Sequence, residues 1–137
     1  MRILKRAFTL VELLVVIAII GILTAIIVPN FMGARERADD SKRVQDMEVI
    51  KTALRMYYND NQNYPAVSEW KNALNGKIGS VNSLDGYTYD VVNNGDGFTL
   101  YSLMEAMMAE NLKMSRLNCG ILSDAPEYAE RYYVCAF

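Results

Sequence analysis

The amino-acid sequence predicts an α+β fold, in which a long N-terminal helix packs on a small antiparallel β-sheet and a disulfide closes a C-terminal loop. Three observations predict it: a long apolar run near the N-terminus, a helical period that continues beyond this run, and a later two-residue period of the kind that strands produce. The chain has 137 residues, a length typical of one domain.

The apolar run begins at Phe8 and ends at Val28. Only three of its side chains are polar: Thr9, Glu12 and Thr24. As a helix it would be about 32 Å long at ~1.5 Å per residue, which matches the ~30 Å hydrocarbon core of a bilayer. The run is therefore predicted to cross a membrane.

The residues before the run are basic, and the far end of the run is bulky. Three basic residues and no acid precede it, so the positive-inside rule places residues 1–7 in the cytoplasm and everything after Pro29 outside. A cleaved secretory signal also begins in this way, but it ends in small residues, whereas residues 26–28 are large and branched. We therefore expect a single-pass protein of the cytoplasmic membrane with its head outside the cytoplasm.

The composition excludes several functions. The chain has no histidine, which removes Ser/His/Asp and Cys/His nucleophilic sites, histidine-ligated zinc and a histidine pH switch. From Met56 onward, five basic residues face ten acidic ones. This balance repels phosphate and disfavours a general nucleic-acid surface, although a few lysines remain for local contact with DNA. We expect neither an enzyme nor a cofactor.

The helical period continues after Pro29 as an amphipathic half of the same helix. Its apolar stripe consists of Phe31, Ala34, Ala38, Ser41, Val44, Met47, Ile50, Leu54 and Tyr57. Pro29 lacks an N–H group, so we expect a kink near Ala25. Turn-forming residues at 59–61, followed by Pro65, predict that the helix ends there.

Residues 87–92 and 98–103 alternate with the two-residue period of strands, and residues 93–97 between them are all of turn-forming types. This pattern predicts an antiparallel hairpin. Before the hairpin, Ser68 is expected to cap a short helix over residues 69–74.

Two later segments are less regular. Residues 103–111 either prolong the second strand or form a helical turn, and their methionine and alanine content favours the helix. Residues 131–135 are aromatic and β-branched, which predicts a third strand.

The two cysteines, Cys119 and Cys135, lie in the part predicted to be exported, where disulfides persist. Fewer than 80 residues follow Tyr58, a size at which a hydrophobic core alone gives marginal stability. A disulfide would add about 3 kcal/mol. The alternative is a pair of free, buried thiols.

Residues 5–23 resemble the N-terminal signature of type IV pilins and type II secretion pseudopilins. The shared features are a basic leader, a phenylalanine (Phe8) that opens the apolar run, a glutamate (Glu12) four residues later, and Pro29 near the outer end. Residues 57–65 resemble the segment that follows the long helix in many pseudopilins. The resemblance implies a pilin fold.

The resemblance also implies how the protein is processed and assembled. A prepilin peptidase would cut between Ala7 and Phe8, and the new N-terminal Phe8 would be N-methylated; Ala7 departs from the glycine usual at this position. Glu12 would attract the terminal amine of an adjoining subunit and set the axial register. The alternative is that its carboxylate reaches the lipid headgroups. The implied partners are further copies of the chain, other pilins, the peptidase, a membrane assembly platform and membrane lipid.

The implied function is structural, as a subunit that polymerises into a type IV pilus or a type II secretion pseudopilus. The alternatives are a competence pilin that takes up DNA and a single-span anchored domain that never polymerises. The expected parts are a cytoplasmic leader (1–7), a transmembrane or filament-core helix (8–29), an amphipathic half of the helix (30–58) and a globular head (59–137).

Asp90, Asn93 and Asp96 beside the hairpin turn carry the oxygen ligands that calcium prefers, as in a loop of some major pseudopilins. A turn requires the same residue types. A turn is therefore the preferred interpretation, and no metal is expected.

Overall fold

The computed structural model describes residues 8–79, 81, 83–123 and 125–137. The protein divides into two compact units. The N-terminal unit ends at Arg35, and the second, which we call the head unit, comprises Glu36–Phe137.

Helix α1 extends from Leu10 to Asn61, and Pro29 lies within it. It ends where the sequence predicts. Gln62 takes the left-handed conformation (φ 58°), and its N–H donates to the Tyr58 carbonyl at 2.7 Å, which closes the last turn.

The sheet has three antiparallel strands in the order β1 (Tyr87–Val92), β2 (Gly97–Leu103) and β3 (Arg131–Ala136). The predicted hairpin and third strand are confirmed. Asn93 and Asn94 both have positive φ in the connection between β1 and β2. Asparagine tolerates this conformation better than most residues, which explains why the backbone can reverse here.

The short helices differ from the prediction. Helix α2 is Trp70–Ala73, and no side-chain hydrogen bond caps it, so the predicted cap by Ser68 is wrong. Strand β2 ends at Leu103, and helix α3 begins only at Ala109 and continues to Asn118. Residues 104–108 therefore belong to neither element, and their backbone bonds to α1 through the amides of residues 105 and 106. Residues 109–111 form the first turn of α3, which is the helical alternative that the composition favours.

The core of the head unit lies between α1 and the sheet. Its α1 side chains include Met47, Ile50 and Leu54, as the predicted stripe requires. The earlier part of the stripe is not covered, and Phe31 is 67% exposed. The apolar period of α1 thus predicts burial correctly only from Val44 onward.

Aromatic side chains pack the segment after α1 against the hairpin. The Tyr64 ring lies 4.9 Å from Phe98, and the Trp70 ring stacks 5.1 Å from Tyr89, centroid to centroid. The Tyr89 hydroxyl donates to the Pro65 carbonyl at 2.8 Å. Such pairs stabilise the fold by about 1 kcal/mol each beyond their area burial.

The disulfide joins Cys119, at the end of α3, to Cys135 on β3, with Cα atoms 5.7 Å apart. The predicted disulfide is confirmed, and the alternative of free thiols is wrong. Ser115 on α3 strengthens the same junction, because its Oγ accepts the Tyr133 N–H at 3.2 Å and donates to the Leu112 carbonyl at 2.7 Å.

A buried carboxylate holds the segment after β2 against α1. Asp40 is 3% exposed, and it accepts the backbone N–H groups of Glu105 (3.0 Å) and Ala106 (2.7 Å). One turn further along, Arg43 donates to the Leu103 carbonyl at 2.5 Å and pairs with Glu105 at 3.2 Å. We call these contacts the Asp40 latch.

We expect Asp40→Ala to lower the free energy of unfolding by about 3 kcal/mol, because the N–H groups of residues 105 and 106 lose their buried, charged acceptor. Asp40→Asn keeps one acceptor oxygen and should lose less. The exposed carboxylate of Glu36, one turn earlier on the same helix, provides the matched control, and Glu36→Ala should change stability by less than about 0.5 kcal/mol. Denaturant unfolding of the full-length protein in detergent measures all three. Equal effects of Glu36→Ala and Asp40→Ala would contradict the latch.

A tyrosine on β1 also contacts α1. The Tyr87 hydroxyl donates to Asp46 Oδ2 at 3.1 Å, and burial together with the Asp46 charge raises the pKa of Tyr87 to about 12. Burial likewise raises the pKa of four further tyrosines: Tyr64, Tyr89, Tyr132 and Tyr133. The folded head unit therefore holds these protons more tightly than the unfolded chain does.

This stabilisation is fully present below pH 10, the ordinary pKa of tyrosine, and should be lost as the pH rises from 10 to about 12. Tyr87→Phe cannot ionise, so its free energy of unfolding should fall less steeply over this interval than that of the wild type. Circular dichroism of denaturant unfolding at several alkaline pH values measures the slope. Parallel slopes would show that Tyr87 does not contribute.

Candidate assembly site

The start of α1 is closed by reciprocal contacts between Thr9 and Glu12. The Thr9 backbone N–H and its hydroxyl donate to Glu12 Oε2 at 2.9 and 2.7 Å, and the Glu12 N–H donates back to Thr9 Oγ1 at 3.3 Å. This arrangement is a capping box, in which residues three apart satisfy the free N–H groups of the first helical turn.

The third polar side chain of the apolar run is satisfied in the same local way. The Thr24 hydroxyl donates to the Ile20 carbonyl, one turn back, at 2.8 Å. Lipid offers no hydrogen-bond partners, so a spanning helix must satisfy its polar groups internally. Thr9 and Glu12 meet this requirement in the first turn of α1, and Thr24 meets it further along the helix.

The remaining surface of the run is apolar and exposed. Within the described residues, α1 is the one helix that is long and apolar enough to cross a membrane. Ala18, Gly21 and Ala25 follow one another at three- and four-residue steps on it. A Cβ built on Gly21 would meet nothing within 4 Å in the part of the chain that the structure describes.

Three of the four processing and assembly residues lie in the described part of the protein, and one of them, Glu12, forms the capping box. Phe8 is exposed and directly precedes the capping box, and Pro29 lies inside α1. Ala7 and the rest of the leader lie outside the described residues.

The calcium candidates lie at the end of the hairpin. Asp96 Oδ1 accepts the Tyr58 hydroxyl at 3.5 Å, and Asn93 is part of the turn. Asp90 faces Thr99 in the register of β1 and β2. Among the described residues, no group of three or more His, Cys, Asp or Glu side chains is arranged to hold a metal ion.

Two family models match the sequence. Residues 3–28 match the prokaryotic N-terminal methylation motif. Residues 30–103 match type II secretion system protein G, and this match extends over more than half of the sequence. The chain belongs to the type II secretion system protein G family. The resemblance drawn from residues 5–23 is confirmed.

Individual relatives agree with the family. The type II secretion system core protein G of Escherichia coli (strain K12) is 46% identical over 70 residues, which are 51% of this chain and 48% of that protein. The core protein G of Aeromonas hydrophila is 47% identical over 73 residues, 53% of this chain and 51% of that protein. The type IV major pilin protein PilA of Myxococcus xanthus (strain DK1622) is 39% identical over 60 residues, 44% of this chain and 27% of that protein. The chain spans about half the length of the protein G relatives it matches, and no solved structure matches it significantly.

The capping box was not anticipated from the sequence, although a signal for it exists. Thr9 and Glu12 have the T-x-x-E spacing that precedes an apolar run in helices with this cap. The free-energy cost of a charge in lipid singles out Glu12 but does not indicate Thr9 as its partner. The structure adds that Glu12 has a partner at the start of its own helix.

We expect Thr9→Val to fray the first turn of α1, because the lost cap is worth about 1 kcal/mol. The Leu13 N–H, which donates to the Thr9 carbonyl at 3.3 Å, should exchange with solvent about fivefold faster in detergent micelles. Thr9→Ser keeps the hydroxyl and provides the control. Unchanged exchange in Thr9→Val would show that the capping box does not hold this turn.

Proposed function

We propose that the protein is a structural subunit that polymerises into the pseudopilus of a type II secretion system. The match of residues 30–103 to protein G carries this proposal. The small residues Ala18, Gly21 and Ala25 on α1 support it, because small side chains let a second helix approach closely. A type IV pilus is the second candidate, which the similarity to the Myxococcus xanthus pilin favours.

The first step of this function is removal of the leader. A prepilin peptidase cuts between Ala7 and Phe8, and Phe8 is then N-methylated. The match of residues 3–28 to the N-terminal methylation motif supports this step. The cut leaves a positively charged amine on Phe8, directly before the capping box at Thr9.

The second step is capture of that amine by Glu12 of an adjoining subunit. Both hydrogen bonds from Thr9 end on the same Glu12 oxygen, Oε2. An ionised carboxylate can accept about four hydrogen bonds, so capacity remains for an ammonium group. The pairing neutralises both charges in the apolar surroundings, where an unpaired charge is most costly. It therefore fixes the axial register of neighbouring subunits.

The third step is movement of the apolar helices from lipid into a filament core. Helices in lipid gain no hydrophobic stabilisation from meeting each other, but outside the bilayer their mutual burial gains about 25 cal/mol per Å². Ala18, Gly21 and Ala25 allow close approach of the backbones. A head-to-tail contact that does not close into a ring produces an open helical fibre. The partners are further copies of the protein, other pilins, the peptidase and a membrane assembly platform.

Two alternatives predict different outcomes. A competence pilin would form filaments that bind DNA, which the net acidic region after Met56 disfavours. A non-polymerising anchored domain would keep its leader. Mass spectrometry of the N-terminus of membrane-extracted protein separates processed subunits from such a domain. We expect a protein that begins at methylated Phe8, and an intact leader in every preparation would contradict the proposal.

Glu12→Gln tests the pairing directly. Glutamine can keep the capping box with Thr9 but carries no charge, so membrane insertion and cleavage should persist while filaments become at least about tenfold fewer by electron microscopy. Thr9→Val is the matched control, because it removes the cap and keeps the charge; its filaments should decrease less. Undiminished filaments of Glu12→Gln would overturn the role of the charge.

A further inference from the structure

The head unit has two Asn–Gly pairs, Asn75–Gly76 and Asn94–Gly95. Asparagine before glycine is chemically labile, since glycine has no side chain to keep its backbone nitrogen away from the asparagine amide carbon. The two pairs have the same local sequence chemistry. Their surroundings in the fold differ, so the structure decides which of them reacts.

The Asn75–Gly76 pair is open to solvent. Both residues are exposed, and a Cβ built on Gly76 would meet nothing within 4 Å. The Asn75 N–H donates to the Asn72 carbonyl, but the Gly76 N–H has no hydrogen bond to any residue that the structure describes. The pair follows α2, a helix of only four residues, so little secondary structure must open before the backbone can rearrange.

Burial and hydrogen bonds restrain the backbone of the Asn94–Gly95 pair. Gly95 is buried, its carbonyl accepts the Tyr64 N–H at 2.9 Å, and Asn63 Cβ lies 3.6 Å from a Cβ built on it. The turn is closed by the Asp96 N–H, which donates to the Asn93 carbonyl at 3.2 Å. Both hydrogen bonds restrain the backbone around Asn94 and Gly95, which has to rearrange before the Gly95 nitrogen can attack the Asn94 side chain.

We propose that Asn75 is a site of spontaneous deamidation in the folded protein and that Asn94 is protected. The Gly76 nitrogen attacks Asn75 Cγ and forms a new bond to it. The bond between Asn75 Cγ and Nδ2 breaks, and ammonia leaves with the proton of the Gly76 amide. Water then opens the five-membered succinimide ring at either carbonyl, which leaves aspartate or isoaspartate at position 75 and needs no other reactant.

The new carboxylate forms beside an existing ion pair. Asn75 lines an open cleft of about 510 Å³ together with Lys71, Ser83 and Asp85. Lys71 Nζ lies 3.1 Å from Asp85 Oδ1, and Ser83 Oγ donates to Asp85 Oδ2 at 3.0 Å. Deamidation therefore places a second carboxylate in the cleft that Lys71 also lines.

The experiment is incubation of the full-length protein in detergent at mildly alkaline pH, followed by peptide mapping in a mass spectrometer. Conversion adds about one dalton to the peptide that carries it. We expect Asn75 to convert at least about tenfold faster than Asn94, because two hydrogen bonds protect the latter. In concentrated urea the two rates should become equal within about twofold, since only the fold distinguishes the pairs.

Two variants provide matched controls. Glutamine reacts far more slowly because its ring would have six members, so Asn75→Gln should abolish the acidic species that appears on isoelectric focusing, whereas Asn94→Gln should leave it. Conversion of Asn94 as fast as that of Asn75 in the folded protein would overturn the proposal. A rate ratio that stays the same in urea would also overturn it, because the sequence and not the structure would then set the difference.

Discussion

Helix α1 contains both the apolar run and a half that belongs to the head unit. The rest of the structure depends on how the polar side chains of α1 find hydrogen-bond partners in each of these parts. Along the apolar run, partners can come only from the run itself, so Thr9 and Glu12 bond each other and Thr24 bonds a carbonyl one turn back. In the head unit, α1 meets backbone amides and a tyrosine from other segments. Asp40 and Asp46 therefore find their partners far along the sequence.

The sequence predicts those parts of the fold that carry a local period or a local turn. The apolar run, the end of α1 near Asn61 and the hairpin follow from side-chain spacing and from the turn-forming residues. The latch does not, because nothing near Asp40 indicates that its partners lie about 65 residues away. The late start of α3 is missed for the same reason. A tertiary contact takes the amides of residues 105 and 106, and propensity alone contains no such information.

At the start of α1, too, the sequence analysis misses a hydrogen-bond partner, although this partner is only three residues away. From the sequence, Glu12 is expected to need a partner outside its own helix, since a charge near the start of a membrane span raises the free energy of insertion. In the structure the carboxylate is already bonded to Thr9. The bonds to Thr9 orient the carboxylate but leave its charge unpaired. In the proposed assembly, the amine of an adjoining subunit would pair with this already oriented carboxylate, and the orientation would reduce the entropy lost when two subunits align.

The match to protein G ends at Leu103, and the Asp40 latch acts at this point of the sequence. Beyond it, α3 and β3 form a module joined internally by the Cys119–Cys135 disulfide. Strand β3 pairs with β2, so the module and the matched part share one sheet. A disulfide inside the module constrains the module but cannot orient it on α1. That orientation depends on the strand pairing, on the apolar core that α1 shares with Leu112 and Val134, and on the Asp40 latch, which joins the long helix to the residues directly beyond the match.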